Sequence, residues 1–271
     1  MVGPTKMVRA GKYDAIIKHV FASHYVKGAK AVHFDRDDIV KAAAALGLQP
    51  PKNLGDVMYS FRYRKVLPEE IAGKAPKGME WTIRAIGEAR YRFELTTPSR
   101  IVPNQLLAES RLPDATPGVV AMYIKGDEQA LLARLRYNRL LDVFTGMACY
   151  SLQSHLRTQV EGMGQGEVDE LYVGIDRRGA HYVLPVQAKG GRDQISLVQT
   201  EQDVRICLKL FPDLACKPIA AQFMQSGLIA MFEFELTSTG RVALLRERHY
   251  RLVAPEDLTP EELASYAQRL D

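Results

Sequence analysis

The chain has 271 residues, of which 46% are hydrophobic and 25% charged, so it can bury a sizeable core without disulfide or metal staples. No apolar run reaches the length of a membrane span, the first residues lack the apolar core of a secretion signal, and the three cysteines form no CxxC pair. The composition therefore speaks against a membrane protein, a disulfide-rich secreted domain and a zinc finger, and predicts a cytoplasmic protein with reduced thiols.

Charge is distributed unevenly along the chain. The formal net charge is +4, but residues 1–125 carry +8 and residues 126–271 carry −4. A basic half joined to an acidic half is typical of a nucleic-acid-binding part joined to a metal-using part. Two solvated surfaces that differ by chance would show the same asymmetry, so charge by itself leaves both interpretations open.

The first hundred residues predict three helices followed by a β-hairpin. Apolar residues recur at helical spacing over 13–25, and a second helix over 39–46 has Asp35 as its cap and Gly47 at its end. A third helix is expected over 53–65, and the stretch 84–95 alternates like a hairpin that turns at Gly87. This order predicts a winged helix-turn-helix domain over residues 1–97.

A winged helix would place its third helix in the major groove of DNA. Asn53 and Asp56 near the start of that helix are expected to face base edges, whereas Arg62, Arg64 and Lys65 are expected to meet phosphates. The alternative is a winged helix that binds protein, or a basic face that serves solubility. The full set of predicted DNA contacts is Lys52, Asn53, Asp56, Ser60, Arg62, Arg64 and Lys65 on the helix, and Arg84, Arg90 and Arg92 on the wing.

The remaining chain predicts an α/β domain over residues 126–271. Residues 98–125 are rich in proline and are interpreted as a linker that packs on either domain. A long helix is expected over 127–160, with apolar residues from Leu131 to Ala148 on its buried side. Strands at 171–175 and 181–188, a helix at 195–211, strands at 218–225 and 228–236, and a helix at 260–270 follow. This order indicates a mixed sheet.

The first predicted hairpin of this domain carries the residues with the clearest chemistry. The acidic cluster 167–170 precedes one strand, and Gln187-Ala188-Lys189 ends the next. Alternation along a strand puts Gln187 and Lys189 on the same face. An acid, a neutral oxygen ligand and a lysine on one surface suit a hard divalent cation beside a phosphodiester. Asp169 fits the acid position best; Glu167 shares its face and Glu170 points to the opposite one.

This arrangement resembles the PD-(D/E)xK nuclease superfamily, whose best-known members are type II restriction endonucleases. The resemblance covers roughly residues 127–234 and implies a restriction-endonuclease-like mixed-sheet core. It implies that Asp169, Gln187 and the carbonyl of Ala188 bind Mg²⁺, with Mn²⁺ as a substitute, and that Lys189 positions or polarises the attacking water. Val168 stands where the family has proline, and Gln187 replaces an acid, which should weaken metal affinity.

Other polar residues are weaker candidates for the site. The family often places a glutamine on the next helix, where Gln199 stands, but a solvated helix face would look the same. Glu128, Asn138 and Asp142 could reach the outer shell of the metal, and His155 and His181 are expected to have ordinary packing or surface roles.

The expected function is a Mg²⁺-dependent endonuclease, type II restriction-like, that cuts double-stranded DNA at a specific site. One alternative is a structure-specific repair or recombination nuclease. Another is a DNA-binding regulator whose second domain is an inactive nuclease fold or a dimerisation module. A palindromic recognition site would imply a two-fold homodimer.

Overall fold

The computed structural model describes residues 5–98, 100–124, 128–160, 164–190, 193–224, 226–238 and 240–268. The chain divides into two compact units. The first contains Met1–Ile101, Gln159–Gly166 and Ser196–Gln202, and the second contains Val102–Thr158, Glu167–Ile195 and Asp203–Asp271.

The first hundred residues form a small α/β unit with a three-stranded antiparallel sheet in the order β1-β3-β2. A π-helical turn, Ser60–Arg64, continues the third helix. The elements are α1 (Thr5–His24), β1 (Ala31–Asp35), α2 (Arg36–Ala45), α3 (Leu54–Tyr59), α4 (Glu69–Ala72), β2 (Glu80–Gly87), β3 (Arg90–Thr96) and β4 (Arg100–Ile101).

The core of this unit forms where α1 meets the sheet. The helical spacing of Ile16, Ile17 and Phe21 puts these side chains on one buried face. Phe21 packs edge-on against Phe93 of β3 with ring centroids 4.9 Å apart. The helices and the hairpin predicted from the sequence are therefore present, and Asp35 caps α2 as expected. Strand β1 was not predicted, although its side chains alternate between exposed and buried as in a half-buried strand.

The second half of the chain is organised around a large mixed sheet in the order β5-β13-β12-β11-β8-β7-β6, with β10 also paired to β8. Its elements are β5 (Glu109–Pro113), α5 (Gly118–Ala121), α6 (Glu128–Tyr137), α7 (Leu140–Thr145), β6 (Ala148–Val160), β7 (Gly164–Ile175), β8 (His181–Lys189), β9 (Ile195–Ser196), α8 (Leu197–Leu210), β10 (Ala215–Cys216), β11 (Ile219–Phe223), β12 (Ile229–Leu236), β13 (Val242–Val253) and α9 (Pro260–Ala267).

Both directions of strand pairing occur in this sheet. Strand β8 runs parallel to β11 and antiparallel to β7, while β13 runs parallel to β5 and antiparallel to β12. The predicted α/β class with a mixed sheet is thereby confirmed. The strands predicted at 218–225 and 228–236 are present as β11 and β12, although Gln225 lies outside the described residues.

Strand β8 is covered on both faces, which explains its nearly continuous apolar sequence. Leu184 and Val186 pack against leucines of α6 and α7 on one face. Val183 packs on the other face with Leu171 of β7 and Cys207 of α8. Because side chains alternate along a strand, the odd-numbered residues that end β8 continue onto the α8 face.

The single long helix predicted over residues 127–160 is wrong: α6 ends at Tyr137, left-handed Arg139 (φ 49°) separates it from α7, and α7 ends at Thr145. Gly146 takes a left-handed conformation (φ 69°) that ends α7, and the 13-residue strand β6 follows. Leu152 and Leu156 stand four residues apart in the sequence, a spacing that imitates a helical face.

Strands β5 and β13 were also not predicted. Strand β5 lies inside the stretch interpreted as a linker, where His249↔Glu109 begins its parallel pairing with β13. The two strands are about 140 residues apart in the sequence, so no local pattern predicts their pairing.

Candidate active site

The predicted site lies where β7 and β8 stop pairing. Their antiparallel register runs from Ile175↔His181 to Glu170↔Val186. Beyond that point the backbone N–H of Ala188 donates to Oδ2 of Asp169 at 3.0 Å. A side chain thus replaces the neighbouring strand as hydrogen-bond acceptor, and it holds the Asp169 carboxylate at the end of β8.

Lys189 stands between two carboxylates at this end of the sheet. Its Nζ lies 3.4 Å from Oε1 of Glu128 and 3.8 Å from Oδ2 of Asp169, and its side chain is 9% exposed. Glu128 is the first residue of α6, so the structure brings this helix terminus to the strand end. Burial raises the pKa of Glu128; the charge of Lys189 opposes this shift and that of Asp169 adds to it.

The other two polar residues predicted near the metal's outer shell make local contacts elsewhere. Oδ1 of Asn138 accepts the N–H of Ala115 at 2.7 Å. Oδ1 of Asp142 accepts the N–H of Cys149 at 3.0 Å. Asn138 thus ties the end of α6 to the segment after β5, and Asp142 ties α7 to the start of β6.

Gln187 points to the α8 face, as its alternation with Lys189 predicted. It is buried, and its Nε2 donates to Oδ2 of Asp203 at 3.1 Å. Asp203 is 1% exposed, and its other oxygen, Oδ1, is buried without a hydrogen-bond partner among the described residues. Burial, and then the charge of Asp169, hold the pKa of Asp203 well above its usual range, against the opposing effects of Gln187 and Lys189.

Sequence reasoning placed Asp203 on the helix but gave it no role. The available signal was its spacing to Cys207, which is buried one turn later on the same side of α8. An acid on the apolar side of an amphipathic helix is unusual, because burial penalises the charged carboxylate.

The two further acids of the cluster are engaged by cations. Glu170 faces the opposite side of β7 from Asp169, as predicted, and accepts from Nη2 of Arg136 and Oγ of Ser151, each at 2.6 Å. Glu167 lies 3.1 Å from Nδ1 of His155 and 3.2 Å from Nε of Arg157. Neither carboxylate therefore joins the group around Lys189.

His155 is exposed, in keeping with the surface role expected of it, and its ring makes two polar contacts. Its backbone is left-handed (φ 50°) inside β6, a conformation that non-glycine residues seldom adopt. The ring contacts Glu167 on one side, and on the other its Nε2 lies 2.9 Å from Nε2 of Gln129. His181, by contrast, is exposed at the start of β8.

The oxygen atoms at this site suit a hard divalent cation. Among the described residues, no three His, Cys, Asp or Glu side chains form a group that could hold a metal ion. The carboxylates of Asp169 and Glu128 contact Lys189, and Asp203, whose Oδ1 has no partner among the described residues, contacts Gln187. Mg²⁺ and Mn²⁺ prefer such ligands and retain several waters.

Gln199 belongs to the first compact unit, and its side chain is buried. Among the predicted DNA contacts, Lys52, Asn53 and Asp56 are exposed at the start of α3. Asn53 caps this helix: its Oδ1 accepts the N–H of Gly55 at 3.0 Å, and its Nδ2 donates to Asp56 at 2.8 Å.

Most of the predicted basic contacts in this unit already have acidic or polar partners. Arg84 pairs with Glu94 at 2.7 Å and with Glu201, and Arg92 pairs with Glu94 at 3.1 Å. Arg62 donates to Gln202 at 3.0 Å, and Lys65 lies 3.7 Å from Asp14.

The other predicted contacts differ in exposure. Ser60 is half-buried, and Arg90 is exposed with its guanidinium over Gly87. The side chain of Arg64 lies outside the described residues.

No protein-family model, curated protein or solved structure matches this chain. Over the residues that the structure describes, no helix combines the length and the apolar character needed to cross a membrane. The assignment of the site therefore depends on the geometry of its own side chains.

Proposed function

We propose that this chain is a Mg²⁺-dependent deoxyribonuclease of the PD-(D/E)xK type, restriction-like, that hydrolyses double-stranded DNA at a specific site in the cytoplasm. The observation that carries the proposal is the nearly buried Lys189, with its Nζ between Asp169 and Glu128 where β7 and β8 part. A lysine that merely ended a strand at a solvated edge would be exposed. A lysine held between acids at a strand end is arranged for a phosphoryl substrate.

Each side chain has a distinct part in this chemistry. Asp169, fixed by the N–H of Ala188, would hold the cation together with the Ala188 carbonyl. The bound cation supplies a Lewis acid for the phosphoryl oxygens. Lys189 places a compact positive charge beside the scissile phosphate and orients the attacking water. Glu128 keeps the ammonium in that position, at 3.4 Å.

The first unit supports DNA as the partner. Its order, α1-β1-α2-α3-α4-β2-β3 with the sheet β1-β3-β2, is compatible with a winged helix, whose α3 would enter the major groove. The net charge of +8 over residues 1–125 would attract the phosphate backbone. Exposed Lys52 and Arg90 are the best-placed basic residues for it.

A cleavage assay on supercoiled plasmid tests the proposal. The full chain should cut with Mg²⁺ or Mn²⁺ and not with EDTA, and Lys189→Ala should reduce the rate about 100-fold or more, as loss of one transition-state charge partner does. Lys209→Ala removes an exposed lysine of α8 and is the matched control. Equal rates for wild type and Lys189→Ala would refute the assignment.

The products of the same assay separate the alternatives. Discrete bands from intact plasmid favour the restriction-like function, and a palindromic cut site would imply a two-fold homodimer. Cleavage confined to branched oligonucleotides would replace it with a repair or recombination nuclease. Tight sequence-specific DNA binding without metal binding or cleavage would instead indicate a regulator.

A further inference from the structure

Asp203 differs from other buried acids of the same unit in lacking a cation. Glu233 is equally buried, but Lys217 and Arg246 reach it at 2.7 and 2.6 Å. The described residues show no ion pair for Asp203, and its one hydrogen bond comes from the neutral amide of Gln187. A buried carboxylate without a counter-charge is costly to keep, so its presence points to a use outside the folded core.

Asp203 is linked to the group around Lys189 through Gln187, which stands two residues before Lys189 on the same face of β8. The electrostatic influence of both Asp169 and Lys189 reaches its carboxylate. Asp169 comes from β7 and Asp203 from α8, so two acids approach the end of β8 from different elements. A divalent cation between them would offset their repulsion and give Oδ1 the partner that the chain does not supply.

Gln187 is oriented for a supporting role. Its amide nitrogen, which cannot bind a hard cation, donates to Oδ2 of Asp203 and leaves Oδ1 unoccupied. This is the geometry in which an outer-shell hydrogen bond orients a carboxylate ligand.

We propose that Asp203 supplies the second metal-binding carboxylate of this site, and that Gln187 positions Asp203 instead of binding the metal itself. The proposal rests on the metal-dependent function above and changes its ligand set. The second metal-binding acid, which is absent at position 187, is then provided by Asp203 of α8.

Titration calorimetry with Mn²⁺ on the full, chelator-treated chain tests this ligand set. Asp203→Asn keeps the shape and the contact with Gln187 but removes the charge, and should weaken Mn²⁺ affinity more than about 100-fold. Gln187→Ala should weaken it about 10- to 100-fold, the usual cost of losing an outer-shell partner. Asp213→Asn, an exposed aspartate after α8, should bind like wild type.

The outcomes separate this proposal from the proposed function. If Asp203→Asn binds Mn²⁺ like wild type, Asp203 is not a ligand, whether or not the protein is a nuclease. If Asp169→Asn also binds like wild type, the metal centre itself is absent and the proposed function fails with it.

Folding is checked independently of metal binding. Asp203→Asn should melt in EDTA at or above the wild-type temperature. If Asp203→Asn does not fold, Asp203→Ser removes the carboxylate, keeps a hydroxyl for Gln187, and carries the same expectation for Mn²⁺. Wild-type affinity in that variant would likewise overturn the proposal.

Discussion

Two carboxylates are buried on opposite faces of the β7–β8 hairpin, and the chain treats them differently. Glu170 is fully buried, and Arg136 and Ser151 both donate to its Oε1. Asp203 is 1% exposed, yet its side-chain hydrogen bond comes from the neutral amide of Gln187. Each carboxylate also has one buried oxygen, Oε2 of Glu170 and Oδ1 of Asp203, without a hydrogen-bond partner among the described residues. Burial and an unpartnered oxygen are common to both acids, and the missing counter-charge is what distinguishes Asp203.

The difference follows from which helices cover each face. On the Glu170 face, α6 presents Arg136, whose guanidinium extends from the leucine-rich core to solvent. On the Asp169 face, α8 presents Asp203 itself, and the cation available there is Lys189, which Asp169 and Glu128 already hold. One face therefore has a completed ion pair, while the other has more acid than base.

The largest expected effect on stability concerns the ion pair between Arg136 and Glu170. Arg136→Ala should lower the free energy of unfolding by about 3 kcal/mol, because it leaves Glu170 buried without its cation. Urea denaturation measures the change. Arg139→Ala, in the link between α6 and α7 where the arginine side chain is 64% exposed, should have a smaller effect. A loss below about 1 kcal/mol for Arg136→Ala would mean that Ser151 alone satisfies Glu170.

Removal of the Asp203 charge, on the α8 face, should have a smaller effect on stability and of opposite sign. Asp203→Asn should stabilise the metal-free chain by about 1 kcal/mol, since it removes a buried charge and keeps the contact with Gln187. The raised pKa of Asp203 adds a pH dependence. A carboxyl with a raised folded-state pKa stabilises fully below its unfolded pKa, about 3.9, and this contribution is lost as pH rises through the folded value.

The stability gap between Asp203→Asn and wild type should therefore widen with pH. Melting temperatures in EDTA, compared at about pH 5 and about pH 8, measure it. A variant that melts below wild type at both values would show that the Asp203 carboxylate contributes to folding, as the carboxylate of Glu170 does, and would end the contrast between the two faces.

The smallest effect concerns an acid of the same hairpin that is satisfied locally. Asp176 accepts the N–H groups of Ala180 at 2.9 Å and Arg178 at 2.8 Å, and these bonds lower its pKa to about 2. Its contribution is present above the unfolded pKa of about 3.9 and is lost as pH falls towards 2. Asp176→Ala should therefore lower the melting temperature at neutral pH. The melting temperature of the variant should also decrease less steeply than that of wild type as the solution is acidified.

The contribution of Asp176 to stability should decrease as the pH falls, whereas the contribution of Asp203 should decrease as the pH rises. Melting temperatures of wild type and Asp176→Ala from about pH 5 to about pH 2 provide the comparison, with exposed Asp213→Ala as the control. Parallel curves for wild type and Asp176→Ala would show that the turn is held by its backbone alone.

Local patterns in the sequence anticipated much of the fold. Alternation in Val183–Lys189 placed Gln187 and Lys189 on one face, and the same period put Glu170 opposite Asp169. The helix expected to reach residue 160 is the counterexample: left-handed Arg139 divides it, and left-handed Gly146 ends its second part. Leucines four apart could not reveal this, because strand β6 gains its stability from the neighbouring strand and not from its own periodicity.

What the sequence determined by itself is therefore the α/β class, the hairpin and the face on which Lys189 stands, since each depends on spacings of a few residues. Tertiary structure decided that β5 pairs with β13, that Glu128 reaches Lys189, and that Asp203 lies against Gln187. These contacts join residues 16 to 140 positions apart, beyond the reach of any local pattern. The contacts of Glu128 and Asp203 depend on the packing of α6 and α8 on the two faces of β8, which buries apolar surface that neither helix could bury alone.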